Sequence, residues 1–187
     1  NKVGGVCANV GCIPTKSLVA SAELARKAKI MRACGIETGE IKFDFSATLK
    51  RARQAAGIVS QGVNMLLKNN GVEYIQGKAI IEADNLVIVG EQKLTTKNIV
   101  IATGGMPIVL PGVAFGNEII SGEGLVHLET APKSVIIIGG GVEGVEYAGI
   151  LSSFGIEVTI IEMFDRLIAA VDKEASELVA KSLTGLG

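Results

Sequence analysis

The sequence has no Trp, a single His and only 4% aromatic residues. Its core must therefore be built from Val, Ile, Leu and Ala. His-rich metal cages are excluded, because His127 is the only His. There is no basic excess: 18 Lys and Arg stand against 19 Asp and Glu, a formal net charge of -1. Nucleic-acid binders need that excess to displace counterions from phosphates, so that class is set aside. No apolar run approaches the roughly 20 residues needed to cross a bilayer, so no membrane span is expected. Three cysteines are too few, and odd in number, for a secreted disulfide framework. They predict a reducing, cytoplasmic setting in which a disulfide would be catalytic rather than structural. The opening residues Asn1-Lys2-Val3 are neither a signal peptide nor an Arg-rich presequence, and the missing Met predicts a processed or cut chain.

Glycine is what the sequence has in excess: 24 of 187 residues, without a Gly-X-Y repeat. Average usage is about 7%. Many close backbone approaches follow, as in nucleotide-binding α/β folds. The length allows one full domain or two incomplete ones.

Residues 1–12 form a loop rich in Gly and Cys. Pro14 suits a first helical turn, and Ala-rich helical sequence continues to about Ala33, with Gly35 as its stop. Residues 46–69 predict a second helix capped by Asp44 or Ser46. Its seam is Leu49, Ala52, Ala56, Val59, Val63 and Leu66, which suits packing on the Ala-rich helix. From Val72 the pattern shortens to β-type runs at Tyr74–Ile81, Leu86–Val89, Lys93–Thr95 and Asn98–Ala102. These predict an antiparallel meander returning into a buried strand. Gly104–Gly116, with two Pro and four Gly, reads as a crossover and domain boundary. A last amphipathic helix is expected at Lys173–Leu183.

Ser134–Ile138 is an apolar strand, followed at once by Gly139-Gly140-Gly141-Val142-Glu143-Gly144 and a helix through Phe154. Gly155 ends that helix, and a second strand, Ile156–Ile161, closes at Glu162. Gly139, Gly141 and Gly144 fit Gly-x-Gly-x-x-Gly. The first makes the tight turn, the second admits a pyrophosphate, and the third lets helix pack on strand. A bare match is weak, but here strand, helix and distal acid all stand where the fingerprint needs them. Glu162 is expected on the adenosine ribose, where its charge repels a 2′-phosphate and favours NAD over NADP.

Cys7 and Cys12 are separated by four residues at the start of a helix. On spacing alone they are inert thiols, metal ligands or a redox couple. Metal ligation is poorly supported, since no second Cys or His pair stands at ligand spacing. The helix N-terminus and the nearby Lys16 favour thiolate chemistry. Cys34, near an Ala-rich helix end, reads as structural.

The run Gly4-Gly5-Val6-Cys7-Ala8-Asn9-Val10-Gly11-Cys12-Ile13-Pro14-Thr15-Lys16-Ser17-Leu18 resembles the redox-active segment of the flavoprotein disulfide reductases, the class I pyridine nucleotide-disulfide oxidoreductases. Ile99–Pro107, with Ala102-Thr103-Gly104, resembles that family's segment beside FAD, and Glu162-Met163-Phe164-Asp165 resembles its NAD-using lipoamide branch. The likeness extends over essentially all 187 residues.

It implies an α/β fold of FAD/NAD(P)-binding, three-layer Rossmann-like domains with a small antiparallel β-meander, both domains incomplete. Residues 1–115 would be the FAD-binding domain and 116–187 the NAD-binding domain. Cys7 and Cys12 would form the redox disulfide, with Cys12 beside the flavin and Cys7 exchanging with dihydrolipoamide carried on a lipoyl domain. Lys16 would sit near the flavin and pair with Glu146. Gly4, Gly5, Lys16, Ala102, Thr103 and Gly104 would contact FAD, and Gly139, Gly141, Gly144 and Glu162 would hold NAD. No metal is implied. The implied partner is a 2-oxo-acid dehydrogenase complex, and the full-length parent would be a homodimer.

Several family landmarks lie outside the sequence: the FAD Gly-rich turn, the second FAD contact, and the C-terminal domain with its His and Glu. His127 stands in the wrong context for that His. The isolated chain is expected to bind FAD poorly and to turn over no dihydrolipoamide. Val6 stands where the family usually has Thr. Glu143 replaces an apolar residue in the Gly-rich turn, and either tunes the nicotinamide path or faces solvent. Two other readings stand beside this one. The first is another flavin disulfide reductase, acting on mercuric ion or a low-molecular-weight thiol. The second is a nucleotide-binding fragment without chemistry.

Overall fold

Pro14 lies in the first turn of the longest N-terminal helix, where its missing N–H leaves no helical acceptor unpaired. The computed structural model describes residues 2–187. Asn1, within the stretch read for a leader, lies outside the described residues. A short helix α1 (Gly5–Asn9) precedes α2 (Cys12–Ile30). Gly35 ends the helical run after a 3-10 turn at Arg32–Cys34, with φ +77 and its N–H closing on Arg32 O.

Helix α3 (Phe45–Asn69) is capped by Asp44, whose carboxylate accepts from Ala47 N at 2.9 Å. Phe45, Leu49, Ala52, Ala56 and Ser60 form its buried stripe. Leu18, Ala22 and Ala25 of α2 are buried opposite. Small residues on both sides bring the helix axes close. The seam departs from expectation at its far end. Ser60 takes the place of Val59, donating to Val3 O at 2.7 Å, and Leu66 is 62% exposed. A straight helix drifts about 20° per heptad off a 3.5-residue stripe, which carries Leu66 round to solvent.

Three antiparallel strands follow in the order β1 (Ala79–Ala83), β2 (Leu86–Val89), β3 (Gln92–Thr95). β1 is later and shorter than the run Tyr74–Ile81 predicts. β2 supplies partners only back to the Ala79–Val89 pair, and the chain then turns at Gly90, φ +61. The expected buried strand at Asn98–Ala102 is absent. Val100 and Ile101 are 87% and 72% exposed, because no strand among the described residues runs beside them.

The C-terminal part is a strand–helix–strand unit: β4 (Ser134–Ile138), α4 (Val142–Ser153) and β5 (Glu157–Ile161). The strands pair in parallel, from Ser134–Glu157 to Ile138–Ile161. Val135, Ile137 and Val158 face the buried cluster that includes Ile150 and Leu151 of α4. Their alternate neighbours Ile136, Ile138 and Ile161 are exposed on the other face. Parallel sheets are ordinarily covered on both sides. Helix α5 (Lys173–Thr184) lies against α4.

One hydrophobic cluster runs from Leu18 of α2 and Leu49 of α3 through Val126 to Ile150 and Leu151 of α4. It draws on residues either side of position 115 and sets the start of α2 against α4. No helix among the described residues is long and apolar enough to cross a membrane.

Candidate active site

The cysteine loop is folded by glycine and one carbonyl. Val6 O accepts from both Val10 N, at 2.9 Å, and Gly11 N, at 2.7 Å. This tight turn places the Cys7 and Cys12 Cα atoms 4.5 Å apart, and the two sulfurs are disulfide-bonded. Gly4 has φ +100, and a Cβ there would come within 2.6 Å of Ala8 Cβ, so the position needs glycine on both counts. Asn9 Nδ2 fastens the loop by donating to Val3 O at 3.1 Å and Gly5 O at 2.8 Å. Cys7, Cys12 and Val6 are all exposed. Cys34 is free and exposed too, a correction to its reading as a packed structural residue. It sits on the 3-10 turn beyond α2, outside the helix seam.

Lys16 follows Cys12 by one helical turn, which puts both on one side of α2. Its Nζ donates to Glu146 Oε1 on α4. The cysteine helix and the helix of the Gly-rich turn are thereby joined by a charged pair. Tyr147, next to Glu146, is buried, and its hydroxyl donates to Gly122 O at 3.2 Å. Burial pushes its phenol up from 10.0 to about 12; the Thr15 hydroxyl opposes this, and the Glu143 and Glu146 carboxylates add to it. The Glu143 carboxylate folds back toward Gly122, where an added Cβ would overlap it. His127 ends the 3-10 turn Gly122–His127 and is exposed.

The Gly-rich turn shows why it is glycine. Gly139 has φ +110 and donates to Ile161 O at 2.8 Å, which ties the turn to β5. A Cβ on Gly144 would overlap Gly139 O, so α4 approaches the strand only because Gly144 has none. Around Gly141 there is open space. The N–H groups of Val142, Glu143 and Gly144 have no acceptor among the described residues. This open glycine and these free first-turn donors fit a dinucleotide pyrophosphate.

Glu162 stands just past β5. Its carboxylate accepts from Phe164 N at 2.9 Å and Gly140 N at 2.7 Å. The N–H of Phe164, then that of Gly140, holds the carboxyl below its ordinary value, so it is ionised at neutral pH. Its position beside the turn fits a ribose. Ala102, Thr103 and Gly104 are exposed, in a segment without regular structure. The structure thus brings together Cys7, Cys12, Lys16 and Glu146, and separately Gly139, Gly141, Gly144 and Glu162. It brings Ala102–Gly104 to neither group by a hydrogen bond. No cluster of three or more His, Cys, Asp or Glu suited to a metal occurs among the described residues.

Residues 2–187 match the family described as pyridine nucleotide-disulphide oxidoreductase. The chain belongs to this family. FAD and NAD are its cofactors. Members similar to this chain include the dihydrolipoyl dehydrogenase of Acholeplasma laidlawii, 40% identical over 97% of this chain and 56% of that protein. The dihydrolipoyl dehydrogenase of Chlorobaculum tepidum is 39% identical over 99% of this chain and 41% of its own length. Among solved structures, the Cu(II) complex of the HOCl-induced flavoprotein disulfide reductase RclA from Escherichia coli superposes with a TM-score of 0.83 at 26% identity. It covers 100% of this chain and 40% of that one. The chain therefore spans between about two fifths and just over half the length of these relatives. The fold is the α/β, FAD/NAD(P)-binding Rossmann-like fold of the family, with the meander as its small β element.

Three site neighbours in this member of the family carry no signal in the sequence. Tyr147 could be suspected only as a polar aromatic beside Glu146. Gly122 carried no motif. Ile168, which donates to Gly140 O, carried none either.

Proposed function

We propose that this chain is the central part of an FAD-dependent, NAD-linked dihydrolipoyl dehydrogenase, with residues 1–115 serving FAD and 116–187 serving NAD. The observation that carries this is the Lys16–Glu146 pair, which fastens the helix bearing Cys12 to the helix of the Gly-rich turn. The disulfide and the dinucleotide turn thus belong to one assembly. A binding module has no need of a redox disulfide there.

The chemistry follows from exposure and charge. A thiolate of dihydrolipoamide attacks the exposed Cys7 sulfur. The Cys7–Cys12 bond breaks and a mixed disulfide forms. The second substrate sulfur then displaces Cys7, so the substrate leaves oxidised as its cyclic disulfide and two cysteine thiols remain. Lys16, one turn from Cys12, and the start of α2 favour the Cys12 thiolate. Bound FAD supplies the two-electron link from that dithiol to NAD. Lys16, Gly4, Gly5, Ala102, Thr103 and Gly104 are the residues for FAD. Gly139, Gly141 and Gly144 take the NAD pyrophosphate, and the ionised Glu162 takes the ribose and repels a 2′-phosphate. The partners of the full-length parent are a lipoyl domain of a 2-oxo-acid dehydrogenase complex and a second copy of itself.

The test is a thiol count. The chain has three Cys, of which Cys34 is free. Dihydrolipoamide should raise the titratable thiols from one to three per chain, and Cys7→Ser or Cys12→Ser should abolish the rise. An unchanged count with dihydrolipoamide, alongside full reduction by dithiothreitol, would overturn the substrate assignment. Preferential reduction by a small monothiol would favour the low-molecular-weight-thiol reductase reading.

A further inference from the structure

We propose that Ile168 is a positioning residue that orders the Gly-rich turn, clamping Gly140 at its carbonyl while Glu162 holds its N–H. The inference rests on the dinucleotide reading of that turn. Gly140 is held at both of its polar atoms. Its N–H donates to Glu162 Oε2 at 2.7 Å, and its carbonyl accepts from Ile168 N at 2.7 Å. Leu167 closes over it: a Cβ added to Gly140 would lie 2.5 Å from Leu167 Cδ2 and 3.2 Å from Glu162 Cβ. Gly139 and Gly141 on either side keep their freedom only where Gly140 does not remove it.

Ile168 reaches this position in a conformation that a β-branched residue rarely adopts. Its φ is +41, the one positive φ outside glycine among the described residues. Such backbone persists where the surroundings over-determine it, and it concentrates at functional sites. Here the surroundings are bonds on both sides of Ile168. The buried Ser176, in the first turn of α5, donates its hydroxyl to Leu167 O at 2.6 Å. Val171 N donates to Ile168 O at 2.9 Å, and Arg166 Nη2 to Ala169 O at 3.0 Å. α5 thus braces the segment after β5, and that segment fixes the middle glycine. A turn of three consecutive glycines otherwise loses much backbone freedom on meeting a ligand. Ordering it beforehand removes that cost from binding.

The test compares two substitutions at one position, with amide hydrogen exchange and calorimetric NAD binding on the full chain. Ile168→Gly keeps the N–H and accepts φ +41. It should leave Gly140 exchange as in wild type and NAD affinity within about threefold. Ile168→Pro removes the N–H and forces φ negative. It should speed exchange at Gly140 and Gly141 and weaken NAD at least about tenfold. Ile137 and Leu151 amides report whether β4 and α4 remain folded. If they do not, Ser176→Ala is the milder variant, and it should speed Gly140 exchange alone. Unchanged Gly140 exchange in both Ile168→Pro and Ser176→Ala would overturn the clamp. Equal losses in the Gly and Pro variants would overturn it also, since the side chain would then be responsible. A wild-type chain that binds no NAD refutes the dinucleotide reading, and Gly140 exchange then decides the clamp by itself.

Discussion

Lys16 and Glu146, 130 residues apart in sequence, meet at the junction of α2 and α4, one helical turn beyond Cys12. The pair is partly exposed, so its direct worth to stability is small, about 0–1 kcal/mol. Its leverage lies in where it holds a positive charge.

Lys16→Met should therefore act on the cysteines more than on the fold. In the reduced chain, alkylation of Cys12 by iodoacetamide at neutral pH should slow about threefold to tenfold, while the unfolding midpoint stays near wild type. Glu146→Gln leaves the ammonium in place and should not slow it. Equal rates in wild type and Lys16→Met would show that the charge does not reach the sulfur.

Two glycines of the same turn should separate folding from binding. Gly144→Ala drives a methyl into Gly139 O and must lift α4 off β4. A loss of about 1–3 kcal/mol in urea unfolding is expected. Gly141 has an ordinary φ of -71 and open space, so Gly141→Ala should fold normally. Its methyl lies where the pyrophosphate approaches, and the NAD dissociation constant should rise about tenfold or more. Equal effects of the two changes on stability would contradict this division of roles.

Local order was legible wherever the chain determines it locally. Asp44 as a cap, Gly35 and Gly155 as stops, and the strand–turn–helix–strand from Ser134 to Ile161 follow from residues within one turn of where they act. α4 starts at Val142, inside the Gly-rich run after which the helix was expected, and Glu143 suits its first turn. Features that depend on distant partners were not legible. The run Asn98–Ala102 has strand composition, yet no strand among the described residues lies beside it. Tyr147 to Gly122 and Ile168 to Gly140 are contacts between segments with no shared pattern. Cys7–Cys12 as a disulfide, and Lys16 with Glu146, were expected from a family resemblance, since spacing by itself left thiols, metal ligands and a redox couple open.

Tyr147 gives an alkaline prediction. Its folded-state value of about 12 lies above the ordinary 10.0, so folding favours the neutral phenol. That contribution is intact below pH 10 and is lost as pH rises toward 12. Absorbance at 295 nm should therefore show a phenolate step near pH 12 in the folded chain, and Tyr147→Phe should remove it. Loss of that late step from the folded wild type would mean that the phenol is not held as described.

Glu162 gives the acid counterpart, with the opposite sign. Its carboxyl is held below the ordinary 4.5 by the N–H groups of Phe164 and Gly140, so the folded state prefers the carboxylate. The stabilisation is present above 4.5 and disappears as pH falls through the lower, folded-state value. Glu162→Gln keeps one oxygen acceptor but has no charge to titrate. Thermal midpoints measured from pH 7 down to pH 3 should therefore converge: wild type above the variant at neutral pH, and the gap closing below about 4.5. Because the same carboxylate holds Gly140, exchange of the Gly140 amide should quicken over the same interval in wild type and be independent of pH, beyond the intrinsic rate, in the variant. A gap that persists unchanged at pH 3 would show that Glu162 contributes through packing and not through its charge.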